Sequence, residues 1–193
     1  MTTRWVALLR GIAPMNPNQK NADLRGACEA AGFTRVASIQ SSGNLVFDVD
    51  TDVRDEVSRR LERTWSGRLG FTSRTFVRTP DELQSLVDLN PYGEQEHGPA
   101  AYQLVTFFDV PPTLDFAVPH EVESHGLRVV HATRTELFTV NDTSIGKGTP
   151  SVMTWLQKTF GKDLTSRTFP TLSRILKKCC CLLYTSPSPT RPY

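Results

Sequence analysis

Long hydrophobic runs are missing from this chain of 193 residues. The apolar stretch near the start, Trp5-Val6-Ala7-Leu8-Leu9, falls far short of the ~20 residues a membrane helix needs, and no cleavage site follows it. A cytoplasmic protein with no membrane partner is therefore expected. An excess of one charge is missing as well: 22 Lys and Arg stand against 20 Asp and Glu. That balance disfavours a nucleic-acid or membrane-surface role driven by bulk charge. Cysteine is scarce where a disulfide framework would need it. Cys28 stands alone until the run Cys179-Cys180-Cys181, and three adjacent cysteines form no framework. Neither G-x-S-x-G nor G-x-G-x-x-G occurs, so two common catalytic and nucleotide-binding signatures are excluded.

What is present is a pattern of short strands and helices. Trp5 to Arg10 reads as a strand and Asn16 to Lys20 as a polar loop. Asn21 is the expected N-cap of a helix through Ala31 that Gly32 ends. Leu24, Ala27, Cys28 and Ala31 share one face of it, so Cys28 is expected in the core. Arg35 to Gln40 and Leu45 to Val49 are strands joined by the turn Ser41-Ser42-Gly43-Asn44. Asp50-Thr51-Asp52 opens a helix with Val53, Val57, Leu61 and Trp65 on its buried side, and Phe71 to Arg78 is a further strand. The order βαββαβ is that of the ferredoxin-like plan.

The second half opens on Thr79-Pro80-Asp81-Glu82, a capping box with proline at the first helical position, and its helix runs to about Leu89. Ala101 to Phe108 is a strand and Leu114 to Ser124 a weak helix broken by Pro119. Leu127 to Ala132 and Glu136 to Val140 form a hairpin. Thr149-Pro150 starts a helix through Phe160, Ser166 to Phe169 is extended, and Pro170 to Lys178 is helical. Without its first and last helices this half is βαββαβ again. The expected fold is thus α+β, with two ferredoxin-like subdomains of antiparallel sheet at residues 1–78 and 79–178. The first holds 12 basic and 8 acidic residues, the second 9 and 12. Opposite net charges favour docking, with a cleft between the halves as the natural pocket. Residues 179–193 read as a disordered tail that is not native, because Cys180 to Pro189 resembles translated sequencing-adapter DNA.

Four segments taken in order carry a family resemblance: Leu8-Leu9-Arg10-Gly11-Ile12, Ser42-Gly43-Asn44-Leu45-Val46-Phe47, Ile145-Gly146-Lys147 and Thr165-Ser166-Arg167-Thr168-Phe169. Together they resemble the bacterial proteins catalogued as domain of unknown function 1697, over Thr3 to about Lys178. The resemblance implies two ferredoxin-like subdomains and no established activity. The chain departs from the pattern at Ala13, where the family usually has Asn, and at Ser166 and Phe169, where Thr and Trp are commoner. The change at Ala13 removes a polar group from that loop.

The same segments hold the candidate site. Arg10 and Gly11 end a strand, where Arg can bind an oxyanion bidentately and Gly permits close approach. Ser42, Gly43 and Asn44 offer a hydroxyl, exposed N–H groups and an amide. Lys147 lies between two glycines, as in a phosphate nest, although the Walker A pattern is absent. Thr165, Arg167 and Thr168 stand just before a helix N-terminus. Each segment alone also reads as ordinary structure: a salt-bridged strand end, a hairpin turn, a loop before a helix, a capped helix. None has an acid–base partner, so no catalytic residues are assigned, and neither a cofactor nor a metal is expected. His120-Glu121-Val122-Glu123-Ser124-His125 misses the zincin spacing by one residue. On the helix that Asp50-Thr51-Asp52 opens, Glu56 is expected to pair Arg60 and Asp55 to pair Arg59. The leading expectation is a small anionic or phosphorylated ligand held between the halves. The alternatives are a nucleic-acid-binding module using the basic first half and a protein-interaction module without a small ligand.

Overall fold

The computed structural model describes residues 2–143 and 148–182. Ile145, Gly146 and Lys147 of the candidate site lie outside the described residues, as does most of the expected tail. The fold is mixed α+β, with two antiparallel sheets and, among the described residues, five α-helices.

The apolar run at the start becomes β1 (Thr3–Leu9), whose side chains alternate between two cores. Trp5, Ala7 and Leu9 face one, Val6 and Leu8 the other, which is why this strand reads as continuously apolar. β1 lies inside the first sheet, ordered β2 (Thr34–Ile39), β3 (Asn44–Val49), β1, β4 (Thr75–Arg78). Register runs from Thr3 opposite Val49 to Leu8 opposite Asn44. α1 (Asn21–Ala30) and α2 (Arg54–Thr64) cover its outer face with Leu24, Cys28, Val57 and Leu61. A π-helical turn, Trp65–Leu69, extends α2 and seats Trp65 in the same core.

The second sheet is ordered β6 (His120–Val122), β7 (Leu127–Ala132), β8 (Glu136–Asn141), β5 (Tyr102–Phe108), β9 (Leu164–Thr168). α4 (Gly148–Phe160) packs Val152 and Leu156 on its outer face. α3 (Pro80–Leu89) and α5 (Phe169–Cys181) share the middle core with both sheets: Leu83, Leu86, Leu172 and Ile175 meet Val6, Leu8 and Val46 on one side and Val105, Phe107 and Phe138 on the other. Both faces of both sheets are therefore covered.

The weak helix expected over Leu114 to Ser124 does not form. The segment runs irregularly to the short edge strand β6 and a 3-10 turn at Glu123–His125. Pro112 and Pro119 lack the N–H groups a helix needs, and Leu114, Phe116 and Val118 reach the outer core at every second residue instead. α1 is capped at Lys20 rather than Asn21: the Asp23 carboxylate accepts from Lys20 N at 3.2 Å, while Asn21 Nδ2 donates to Gln40 O at 2.8 Å. β4 is shorter than the expected strand, since 70–74 is irregular. α5 runs past Lys178 to Cys181 because Cys179 is buried in the middle core beside Ile175 and Leu172. The capping box at Thr79 forms as expected, with Thr79 Oγ1 accepting from Glu82 N at 3.2 Å and Glu82 Oε2 from Thr79 N at 2.8 Å.

Candidate functional site

On β9, Thr165 and Arg167 lie opposite Phe107 and Val105 and so face the middle core. There the Arg167 guanidinium reaches the first sheet. Its Nε donates to Asn44 Oδ1, Nη1 to Thr165 Oγ1 and Ser166 O at 2.8 Å each, and Nη2 to Leu9 O at 2.8 Å and Ser42 O at 3.0 Å. All five N–H groups are used, and every acceptor is neutral. Burial lowers the guanidinium pKa to about 10. Asn44 completes the hub by donating to Ile39 O at 3.1 Å and Ser42 Oγ at 3.0 Å. Gly43 sits at φ +71°, and a Cβ there would lie 2.7 Å from Ile12 Cγ1, so only glycine fits between the turn and that loop. Thr168 bonds Thr171 at 2.8 Å, and Thr171 donates to Gln40 Oε1 at 3.1 Å. The chain thus brings Ser42, Gly43, Asn44, Thr165 and Arg167 together at the end of β1, but spends their polar atoms on one another.

Arg10 is placed differently. Its backbone N–H donates to Arg74 O at 2.9 Å, beside the hub, while the half-buried residue lines a cavity of about 350 Å³ with Glu62, Ser66, Thr72, Ser73 and Arg74. No hydrogen bond or ion pair engages the Arg10 guanidinium among the described residues. Gly11 is exposed at φ +69° with open space around its Cα.

Arg74, which sequence reasoning passed over, is the common wall of three cavities. It meets Glu62 at 3.4 Å, Asp109 at 3.0 Å and Asp163 at 3.9 Å. One cavity holds Arg10; another, of about 380 Å³, holds Arg54 and Arg59; the third, also about 380 Å³, lies against Asp109, Val110, Pro111 and Phe160. The last two are lined from both halves of the chain. Arg74 and Asp109 both stand at strand ends, the same signal that marked Arg10.

Four ion pairs join residues 1–78 to the rest among the described residues: Arg54–Glu82, Arg74–Asp109, Arg74–Asp163 and Arg78–Glu136. In each the cation comes from the first half, in keeping with the charge split. Arg78 is the most buried. It donates to Glu136 Oε1, Val77 O and Phe108 O at 2.8–2.9 Å. Arg4 makes a further tie, gripping Asp48 at 2.7 Å and the carbonyl of Cys179 at 2.7 Å.

Burial holds the Asp109 carboxyl above its ordinary 3.8, against the pull of Arg74. The folded protein keeps this proton where the unfolded chain has released it. Relative to Asp109→Asn, wild-type stability is therefore highest below pH 3.8 and falls as pH rises through the raised pKa. Urea unfolding of both proteins from about pH 3 to about pH 7 checks this, and parallel pH profiles would refute it.

The basic face of α2 is held locally, but not by the expected pairs. Arg59 Nε donates to Asp55 O at 3.1 Å, Arg60 to Ala31 O at 2.6 Å, and Glu56 accepts from Thr51 Oγ1 at 3.0 Å. Arg60 turns instead to the carbonyl that follows α1, and Arg59 to a backbone carbonyl of α2 itself. His120 stacks on Phe116 at 4.3 Å and His125 lies in the following turn, on different elements. Burial pushes the Cys28 thiol up to about 12, as suits a packing residue. No described helix is long and apolar enough to cross a membrane.

A family model described as "Protein of unknown function (DUF1697)" matches residues 1–138. That span contains Arg10, Gly11 and the Ser42–Asn44 turn; the segments at Ile145–Lys147 and Thr165–Phe169 lie beyond it. Among solved structures, the conserved bacterial protein SP0830 from Streptococcus pneumoniae matches with a TM-score of 0.68 at 18% identity, covering 92% of this chain and 99% of that one. At that identity the likeness speaks for the fold. No curated protein matches.

Proposed function

We propose, for a chain that belongs to the DUF1697 family of proteins of unknown function, that it binds a small anionic ligand in the groove around Arg10 and Arg74. The observation that carries this reading is the contrast between two arginines. Arg167 has every donor engaged inside the protein, whereas Arg10 is half-buried, lines a cavity and has a guanidinium with no partner among the described residues. A free guanidinium in a cleft is an oxyanion binder. Ser66 and Thr72 supply hydroxyls beside it, and exposed Gly11 lets a ligand approach the backbone. Ser42, Gly43, Asn44, Thr165 and Arg167 then serve as the scaffold that fixes the end of β1, and Thr168 secures the start of α5. Nucleic-acid and protein-docking readings draw less support. Both sheet faces are covered, and the exposed large hydrophobics Met15, Val53, Leu89 and Val110 lie on separate loops and helix ends.

In the same reading, each sheet belongs to one ferredoxin-like subdomain of a cytoplasmic protein. The orders β2-β3-β1-β4 and β7-β8-β5-β9 correspond strand for strand, with 109–119 and β6 standing where the second copy would carry its first helix.

A thermal-shift panel of nucleotides, sugar phosphates and carboxylates tests the site. An anion at one hundred times its Kd stabilises by ~2.7 kcal/mol, a rise of roughly 5–10 °C for a domain of this size. Arg10→Ala is expected to abolish that rise. A panel without shifts, or a shift that survives in Arg10→Ala, counts against the reading.

A further inference from the structure

The cavity on the far side of Arg74 has a composition that the anion alone does not explain. Half of its lining is apolar: Phe108, Pro111 and Pro112 at the end of β5 on one side and Phe160 at the end of α4 on the other, with Thr113, Thr159 and Asp163 among them. Val110 at its mouth is 75% exposed, among the few large hydrophobics left in water. Into this slot projects a polar edge of opposite character, the Asp109 carboxylate beside the Arg74 guanidinium. Asp109 Oδ2 faces Arg74 at 3.0 Å, which leaves Oδ1 without a partner among the described residues. A single ion would gain nothing from the apolar half of the lining, and an alkyl chain would give Asp109 Oδ1 no donor.

A flat ring with a donor next to an acceptor on its edge satisfies both. The ring lies against proline and phenylalanine, its N–H donates to Asp109, and its carbonyl or ring nitrogen accepts from Arg74. Nucleobases have this edge, and proteins read single bases by such stacking and edge bonding. The position of the slot adds the second half of the argument. Asp109, Val110 and Arg74 also line the cavity that holds Arg54 and Arg59, and Arg74 leads on to that of Arg10. A ring in the slot therefore has the cavities of Arg54, Arg59 and Arg10 next to it, with Arg74 common to all three. Each cavity is of the size that takes one portion of a small ligand.

We infer that the seam between the two halves takes a nucleoside phosphate, with the base in the slot of Val110, Pro111, Pro112 and Phe160, its edge on Asp109 and Arg74, and the phosphate toward Arg10. This deepens the anion reading above and rests on it for the phosphate end only. Isothermal titration of the full chain with the four common nucleosides, their 5′-monophosphates and inorganic phosphate tests it. At least one monophosphate is expected to bind at least tenfold more tightly than both its nucleoside and inorganic phosphate. Asp109→Asn weakens that nucleoside about tenfold and leaves inorganic phosphate unchanged. Arg10→Ala does the reverse. Circular dichroism and unfolding midpoints of both variants confirm that they fold. Phosphate binding through Arg10 with no nucleoside bound overturns the base slot and leaves the anion site standing. Nucleoside binding that depends on Asp109, with phosphate indifferent to Arg10, overturns the anion site and leaves the slot. Binding of neither overturns both.

Discussion

Arg167→Met is expected to lower the unfolding free energy by about 2–4 kcal/mol, read as a drop in urea midpoint at unchanged slope. Methionine fills most of the aliphatic stem, so the loss comes from the head group. Five N–H donors disappear from a site where Leu9 O, Ser42 O, Asn44 Oδ1 and Thr165 Oγ1 have arranged themselves around them. A typical net hydrogen bond contributes ~1 kcal/mol, and an acceptor left dry inside the protein costs more than that. Two features hold the total below the sum. The acceptors are neutral, so no opposite charge is stranded. Burial also disfavours the cation itself, as its lowered pKa of about 10 records. Arg167→Lys separates the terms: it keeps the charge but offers three donors in place of five, and is expected to recover less than half of the stability that Arg167→Met loses. A methionine variant as stable as wild type would show that Arg167 is not a tie between the sheets.

How far the sequence foretold this arrangement differs from residue to residue. Elements whose signals are local came through: the capping box at Thr79 and Glu82 needs only four residues, and the strand at the start only the apolar run from Trp5 to Leu9. The segment from Leu114 to Val118 also carried its answer, in apolar residues at every second position, but the span is short enough for a helical period to fit as well. Arg167 could be singled out because hydroxyls surround it in the chain. What it does could not, because its acceptors Leu9, Ser42 and Asn44 lie more than a hundred residues away. Arg74 and Arg78 gave no local sign beyond a place at a strand end. Each sits in or beside a short strand, and its partners, Asp109 and Glu136, are brought to it only by docking of the second sheet. Charge segregation between the halves was legible as a sum; which arginine meets which carboxylate is a property of the seam.

That seam offers the larger test. Arg78→Met alone is expected to destabilise by about 3–5 kcal/mol, because it leaves the Glu136 carboxylate buried without its cation. Arg78 is 2% exposed and Glu136 8%, so water cannot replace the lost partner. Thr133 and Thr135 still donate to Glu136, the latter at 3.0 Å, but hydroxyls do not neutralise a charge. Phe108 O loses its donor in the same step. Glu136→Leu alone is expected to cost as much, since it strands a guanidinium beneath the ring of Phe107. The double variant Arg78→Met/Glu136→Leu removes both charges and is expected to lie within about 2 kcal/mol of wild type. Urea unfolding of the four proteins closes the cycle. A coupling energy of several kcal/mol makes this pair a fastening between the sheets whose role is register and orientation, because two apolar residues then serve nearly as well for stability. Additive losses would mean instead that Arg78 and Glu136 act through their separate hydrogen bonds to Phe108 and the 133–135 turn. The distinction bears on function, since Arg74, four residues earlier and with Asp109 on the other side of the same seam, is positioned by whatever holds β4 against β5.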